Sequence, residues 1–282
     1  MTVAPAPGRQ YPRRGMSWIR TASIVLASMC LLYAAAGGAP NAPPEARVGY
    51  RMVPFSGSVK NLRAKYGDPQ LLILEKLNRR DLDHLVRLGM MVAPDTLVDD
   101  ELACSPMPRG YAWGDSLPKL LVVDQRAQAF GAYERGRLVR WGPVATGRAG
   151  DETPTGLFHL TWKSKGRHST VDSTWYLPWY FNFGNREGVS IHQYELPGRP
   201  ASHSCVRLLA PDAEWLYGWG EQWRLGPSPW IVLKEGTPLL VIGRCDYDAP
   251  APWRSLKWLA HGVELPADPP TRQDWSAAGA PE

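Results

Sequence analysis

The hydrophobic rhythm of the chain changes several times. Thr21 to Ala36 is an apolar run behind Arg13, Arg14 and Arg20. From Leu71 to Leu88, Leu, Ile and Val recur at mixed three- and four-residue spacing with charges between them, which predicts one or two short helices. From Lys119 the period shortens. Leu120 to Val123, Ala127 to Tyr133 and Leu138 to Val144 read as strands separated by turn-forming residues such as Glu134-Arg135-Gly136. Gly156 to Trp162 continues the series, Gly188 to His192 forms a further short strand, and Leu239 to Ile242 is the last. One helix is predicted near Asp212 to Trp223, with Asp212 as its cap and Trp215, Leu216 and Trp219 on one face. Short strands at this spacing predict a mainly β domain, a sandwich or barrel, with one or two helices. Beyond Cys245 the chain is rich in Pro and Ala. Trp253 and Trp258 are candidate anchors there, and disorder is expected from Pro266 onward. No internal repeat is visible.

The 282 residues, 44% of them hydrophobic, are enough for one sizeable domain and a smaller companion. The net charge of +5 is mostly local. The first 37 residues hold Arg9, Arg13, Arg14, Arg20 and no acidic residue, and without them 28 basic residues face 27 acidic ones. No basic patch with interleaved aromatics argues for nucleic acid. The basic start, the apolar run and Ala34-Ala35-Ala36-Gly37-Gly38 read as a secretory signal, with an uncleaved single-helix anchor as the alternative. Either reading expects an exported chain, with membrane contact only through a retained N-terminal segment.

The chemistry concentrates at His192 and Ser202-His203-Ser204-Cys205-Val206-Arg207. A thiol attacks well only when an imidazole takes its proton, so Cys205 reads as a nucleophile. Spacing leaves both His192 and His203 open as the base. An imidazolium beside Cys205 is expected to lower the thiol pKa, and backbone N–H groups of Ser204 and Cys205 are candidate oxyanion donors. Arg207, two residues on, either clamps a substrate carboxylate or forms a structural salt bridge. Ser202 and Ser204 are candidate substrate contacts. Trp175, Tyr176, Trp179, Tyr180, Phe181 and Phe183 precede the motif, and from these Trp179 and Tyr180 are expected to face the cleft. His84, His159, His168 and His261 have no partner at a telling spacing. In an exported chain Cys30 leaves with the signal and Cys205 stays free, so Cys104 and Cys245 are expected to pair across the ends of the domain.

These residues resemble the L,D-transpeptidase family of bacterial cell-wall enzymes (the YkuD or ErfK-like domain). The family signature is a histidine, a loop, then Ser-His-Gly-Cys, a hydrophobic residue and Arg or Asn, matched here by His192 and by Ser202 to Arg207. Ala145-Thr146-Gly147 and Thr153-Pro154-Thr155-Gly156-Leu157-Phe158 resemble the family's upstream turn, Leu196-Pro197-Gly198-Arg199-Pro200 its loop, and Gly236-Thr237-Pro238 with Leu239 to Ile242 its closing strand. Ser204 stands where the family has glycine. If that position needs a positive φ, serine is strained there. The resemblance implies a β-sandwich-like catalytic domain and no metal or nucleotide cofactor. It implies His192 as the base for Cys205, His203 in a positioning role and a peptidoglycan stem peptide as partner. Cys205 would form a thioester with a tetrapeptide stem and pass it to an amine. Water as acceptor, giving an L,D-carboxypeptidase, is an alternative, as is a non-catalytic wall-binding role. A zinc hydrolase built on His192, His203 and Cys205 is a third class.

The expected organisation is a signal peptide or anchor at 1–37, a linker at 38–59, a small N-terminal region at 60–117, the catalytic domain at 118–245 and a tail at 246–282. Within the N-terminal region, Leu74 to Asn78 and Leu88 to Pro94 are similar to the end of a LysM carbohydrate-binding module, with a plain helical packing region as the alternative.

Overall fold

The computed structural model describes residues 48–228 and 230–276. The expected leader at 1–37 and the first part of the linker lie outside the described residues. No helix among the described residues is long and apolar enough to cross a membrane.

The described residues begin with strand β1 (Tyr50–Pro54), inside the segment expected as linker. Helices α1 (Val59–Tyr66), α2 (Asp68–Asn78) and α3 (Leu82–Leu85) follow, and β2 (Met90–Pro94) returns antiparallel to β1, Tyr50 opposite Pro94. Ser58 caps α1 by accepting from the Asn61 N–H at 3.3 Å. Asp81 caps α3 in the same way, accepting from the His84 N–H at 3.0 Å. Helix α2 is buried on two sides. Leu71 and Leu74 pack with Leu62, Leu85 and Met91 in a small core of their own, while Ile73 and Leu77 enter the core under the main sheet. The N-terminal region is therefore fastened to the sheet by α2, with Tyr50, Met52 and Val92 of its own strands entering the same core.

The main sheet is assembled from β3 (Leu120–Asp124), β4 (Ala129–Glu134), β5 (Arg137–Ala145), β6 (Gly156–His159), β7 (Lys163–His168), β8 (Tyr176–Gly184), β9 (Val189–Gln193) and β10 (Val206–Leu208). Helix α4 (Ala210–Trp219) and a small hairpin, β11 (Arg224–Leu225) with β12 (Val232–Lys234), precede the last strand, β13 (Pro238–Ile242). The nine sheet strands run in the order β6-β13-β3-β4-β5-β10-β9-β8-β7, with β13–β3 and β10–β9 parallel and the other pairs antiparallel. The protein is mostly β, and the sheet is curled. Leu121, Val123, Phe130 and Val144 from one half meet Phe181, Ile191, Val206 and Leu208 from the other in a single interior core. Leu120, Val122 and Trp141 face the opposite way and are covered by α2 and by the C-terminal segment. Burial on both faces explains why Leu120 to Val123 reads as a continuous apolar run instead of alternating.

Two expectations about later segments are corrected here. Asp212 does not cap its helix, which has Leu209 at the cap position and no side-chain cap bond. It is fully buried, its Oδ1 2.7 Å from Arg140 Nη2 and 3.4 Å from Lys76 Nζ. Residues 266–276 are packed onto the body rather than disordered. Trp253, Leu259 and Val263 join the core, α5 (Leu256–His261) is capped by Ser255, and Asp274 exchanges backbone hydrogen bonds with Thr155 at 2.7 and 3.1 Å. Trp275 sets its ring edge-on to Phe158 at 5.4 Å. A Cβ at Gly156 (φ 120°) would lie 2.1 Å from the Arg272 carbonyl oxygen, so glycine is what lets the tail lie down here.

Candidate active site

The site grows out of the parallel pair β9–β10. Val206 is level with Ile191 and Arg207 with His192. Because side chains alternate along a strand, Val189, Ile191, Val206 and Leu208 go inward to the core. Ser190, His192, Cys205 and Arg207 share the opposite face. His192, Cys205 and Arg207 line one cleft of about 100 Å³, together with Tyr180, Tyr194 and Trp175. Ser190 Oγ lies 3.4 Å from Cys205 Sγ.

The motif loop is held by the two upstream segments. The Thr146 carbonyl accepts from the N–H groups of Ala201 and Ser202, and Arg148 N–H donates to the Ser202 carbonyl at 3.0 Å. Thr153 Oγ1 donates to the Ser204 carbonyl at 2.8 Å and accepts from Gly147 N–H at 2.9 Å. A Cβ at Gly147 would sit 2.0 Å from the Asp151 carbonyl oxygen, so only glycine permits this crossing. Ser204 has φ 66°, the left-handed region that disfavours side chains. Its N–H and its hydroxyl both donate to the Asp151 carbonyl, at 2.9 and 3.1 Å. Ser202 Oγ donates to the Cys205 carbonyl at 2.5 Å. The two serine hydroxyls, expected to touch substrate, are committed to the loop itself. The expected oxyanion pair is reduced by the same bonds. Ser204 N–H is occupied, whereas Cys205 N–H has no partner among the described residues.

Hydrogen bonding distinguishes the two histidines. His192 Nδ1 lies 2.9 Å from the Gln193 carbonyl oxygen, an acceptor only, so Nδ1 carries the proton and Nε2 keeps a free lone pair. His203 Nε2 lies 2.7 Å from Arg148 Nη2, a donor only, so its lone pair is taken. Arg148 in turn donates from Nε to Asp151 Oδ2 at 2.6 Å. His203 leans on the Trp175 ring at 5.4 Å, which suits a positioning role more than proton transfer. Among the described residues no group of three or more His, Cys, Asp and Glu side chains is arranged to hold a metal.

Burial sets the protonation states. It pushes the Cys205 thiol up, only partly offset by the Ser190 hydroxyl and N–H and by Arg207. It pushes His192 down to about 4, with Arg207 adding to the effect. At neutral pH both groups of the resting site are therefore uncharged. The sequence expectation of an imidazolium-lowered thiol is replaced by a thiol that loses its proton only as it attacks.

Residues 118–241 match the family model described as the L,D-transpeptidase catalytic domain, YkuD. The matched segment, under half of the chain, is similar to L,D-transpeptidase catalytic domains. Among solved structures the chain is similar to an L,D-transpeptidase from Mycobacterium smegmatis, at 20% identity and TM-score 0.36, over 45% of this chain and 59% of that one. It is similar to one from Stackebrandtia nassauensis at 24% identity and TM-score 0.37, over 58% and 66%. It is also similar to residues 123–326 of one from Xylanimonas cellulosilytica at 22% identity and TM-score 0.40, over 71% and 100%. The chain spans about three fifths of the length of the mycobacterial structure it matches. No curated protein matches it.

Within the matched segment, Tyr180 stacks parallel to His192 at 6.5 Å and lines the cleft. Trp179 does not. It follows the alternation of β8 onto the core side and packs on Tyr217 at 5.4 Å. Arg207 lies over the Tyr194 ring at 4.5 Å and makes no ion pair among the described residues, so its structural salt-bridge reading loses its partner. Sequence reasoning missed Arg167, whose guanidinium lies over Tyr180 at 5.1 Å in the same cleft. It also missed Tyr194, Ser190, Arg148 and Asp151. Ser190 had a signal, since it is two residues before His192 on a strand and shares its face. Arg167 had none, because β7 reaches the site only through the strand order. The Cys104–Cys245 bridge is not formed, and Cys104, Cys205 and Cys245 are all free thiols. Cys104 is buried in the core and hydrogen-bonded with Tyr50, whereas Cys245 is half-buried on the loop after β13 beside Tyr247.

Proposed function

We propose that the chain cross-links or remodels peptidoglycan as an L,D-transpeptidase, with Cys205 as nucleophile, His192 as general base and His203 as a positioning residue. The observation that carries this reading is the fixed tautomer of His192, which leaves Nε2 as an unoccupied base in the cleft that holds the Cys205 thiol. As Sγ attacks the carbonyl of a stem peptide, its proton passes to His192 Nε2. The Cys205 N–H faces the developing oxyanion. Collapse of the tetrahedral intermediate breaks the amide bond, His192 returns the proton to the leaving amine, and a thioester remains. An acceptor amine then attacks the thioester, the thiolate leaves, and His192 relays the proton back to sulfur. Arg167 and Arg207, stacked on Tyr180 and Tyr194 on the two sides of the cleft, are suited to the carboxylates of a stem peptide. The apolar run behind arginines at 21–36 supports placing this reaction in the cell envelope.

The test uses imipenem, the compound held in one similar L,D-transpeptidase structure. Intact mass should rise by one acyl adduct, mapping to Cys205, and the Cys205→Ala and His192→Gln variants should stay unmodified. No adduct on folded, reduced wild-type protein would overturn the reading. Incubation with a tetrapeptide stem and an amine acceptor should then yield the cross-linked product.

A further inference from the structure

A second cavity, larger than the cleft at Cys205, opens elsewhere on the domain. It measures about 620 Å³ and lies between the Gly198-Arg199-Pro200 loop, the segment after β13 and the turn carrying Arg148. Four guanidinium groups line it, those of Arg126, Arg148, Arg199 and Arg244. Its only lining carboxylate is Asp246, whose Oδ1 already accepts the N–H groups of Asp248 and Ala249. Arg244 pairs with Asp274 at 2.6 Å and Arg148 with Asp151 at 2.6 Å. Arg126 and Arg199 make no ion pair among the described residues, although Asp124 lies near enough to Arg126 to feel its charge. A second rank of charge stands behind the loop. Arg80, half-buried, is disfavoured as a cation first by burial and then by the like charges of Arg254 and Arg199, with Asp81 opposing.

This concentration is local. The chain beyond its first 37 residues is close to neutral, so the cavity is not sharing a generally basic surface. Like charges gathered at one concave surface repel one another, and an anion relieves that repulsion. Guanidinium forks match phosphate and carboxylate oxygens in geometry as well as charge. The volume falls within the roughly 300–1,000 Å³ of small-ligand sites, and Pro250, Pro252 and Trp253 supply an apolar wall.

We infer that this cavity is a second ligand site, separate from the Cys205 cleft, for a multivalent oxyanion bearing phosphate or carboxylate groups. Arg148 joins the two sites, because it lines the cavity and also donates to His203. An anion drawn onto Arg148 competes with Asp151 and His203 for the same N–H donors.

The experiment is calorimetric titration of the full folded chain with pyrophosphate and, separately, with citrate, at low and at physiological ionic strength. One saturable site per chain is expected for at least one of the two. Saturation by pyrophosphate alone assigns a phosphate ligand, by citrate alone a carboxylate ligand, and by both a site that reads charge. The exposed pair Arg126→Gln and Arg199→Gln together should weaken binding by about tenfold or more, from the worth of charged hydrogen bonds, and the paired lysine variants should recover part of it. Cys205→Ala should bind as the wild type does, which keeps this outcome independent of the proposed catalysis. Failure of both anions to saturate, or binding unchanged in the double glutamine variant with its circular dichroism intact, would overturn the assignment.

Discussion

Ser204 sits at φ 66° in a position where only glycine is free of strain, so substitutions there report on the geometry of the catalytic loop. An L-residue in the left-handed region costs about 1–2 kcal/mol. The Ser204 hydroxyl offsets part of this by donating to the Asp151 carbonyl at 3.1 Å, worth about 0.5–1.5 kcal/mol. Ser204→Ala keeps the strain and loses the bond, so it should destabilise by about 1 kcal/mol. Ser204→Gly removes the strain, loses the bond and adds the extra unfolded-state freedom of glycine, about 0.5–1 kcal/mol. These contributions nearly cancel, leaving Gly within about 1 kcal/mol of wild type and above Ala. Ser204→Val should be the least stable of the three, because β-branched side chains tolerate positive φ worst. Urea unfolding gives the order directly, and each 1 kcal/mol corresponds to about 2–4 °C in a melt for a domain of this size. Ser204→Gly should also keep carbapenem acylation, since the backbone bond from position 204 to Asp151 survives. An Ala variant as stable as wild type together with a less stable Gly variant would refute the reasoning, because it would mean that the left-handed backbone is not what position 204 resists.

Two further outcomes follow from buried charges. Lys76, fully buried, holds Glu101 and the Trp141 carbonyl at 2.8 Å each and stands 3.4 Å from Asp212, so Lys76→Ala should cost about 3–5 kcal/mol in denaturant unfolding. A loss under about 1 kcal/mol would show that water or rearrangement replaces the lysine. His192 titrates near 4 in the folded protein, below its ordinary value of about 6.5, so its neutral form favours folding. That contribution is intact above pH ~6.5 and is lost progressively down to pH ~4, for about 3 kcal/mol in all. His192→Gln should therefore flatten the stability–pH curve between those limits, and parallel curves for variant and wild type would contradict the assignment.

The chain's own pattern was enough to expect a mainly β domain bounded near residues 118 and 245. Period-two and all-apolar runs report which faces of each strand are buried, and that information is local. It was also enough to single out Cys205 with His192 and His203 as its two candidate bases, and only the family resemblance favoured His192. Tertiary structure decided the rest. Which histidine keeps a free lone pair depends on Gln193 and on Arg148, the latter 55 residues from His203. The tail looked unstructured because Pro and Ala carry little pattern, yet Trp253 and Trp275 dock it onto a sheet that only the assembled fold provides. The expected disulfide rested on two cysteines flanking a domain, and flanking in sequence does not bring thiols together. The direction of the Cys205 and His192 shifts was out of reach for the same reason. Burial is a property of the whole fold, and here it outweighs the attraction that two neighbouring residue types alone suggest.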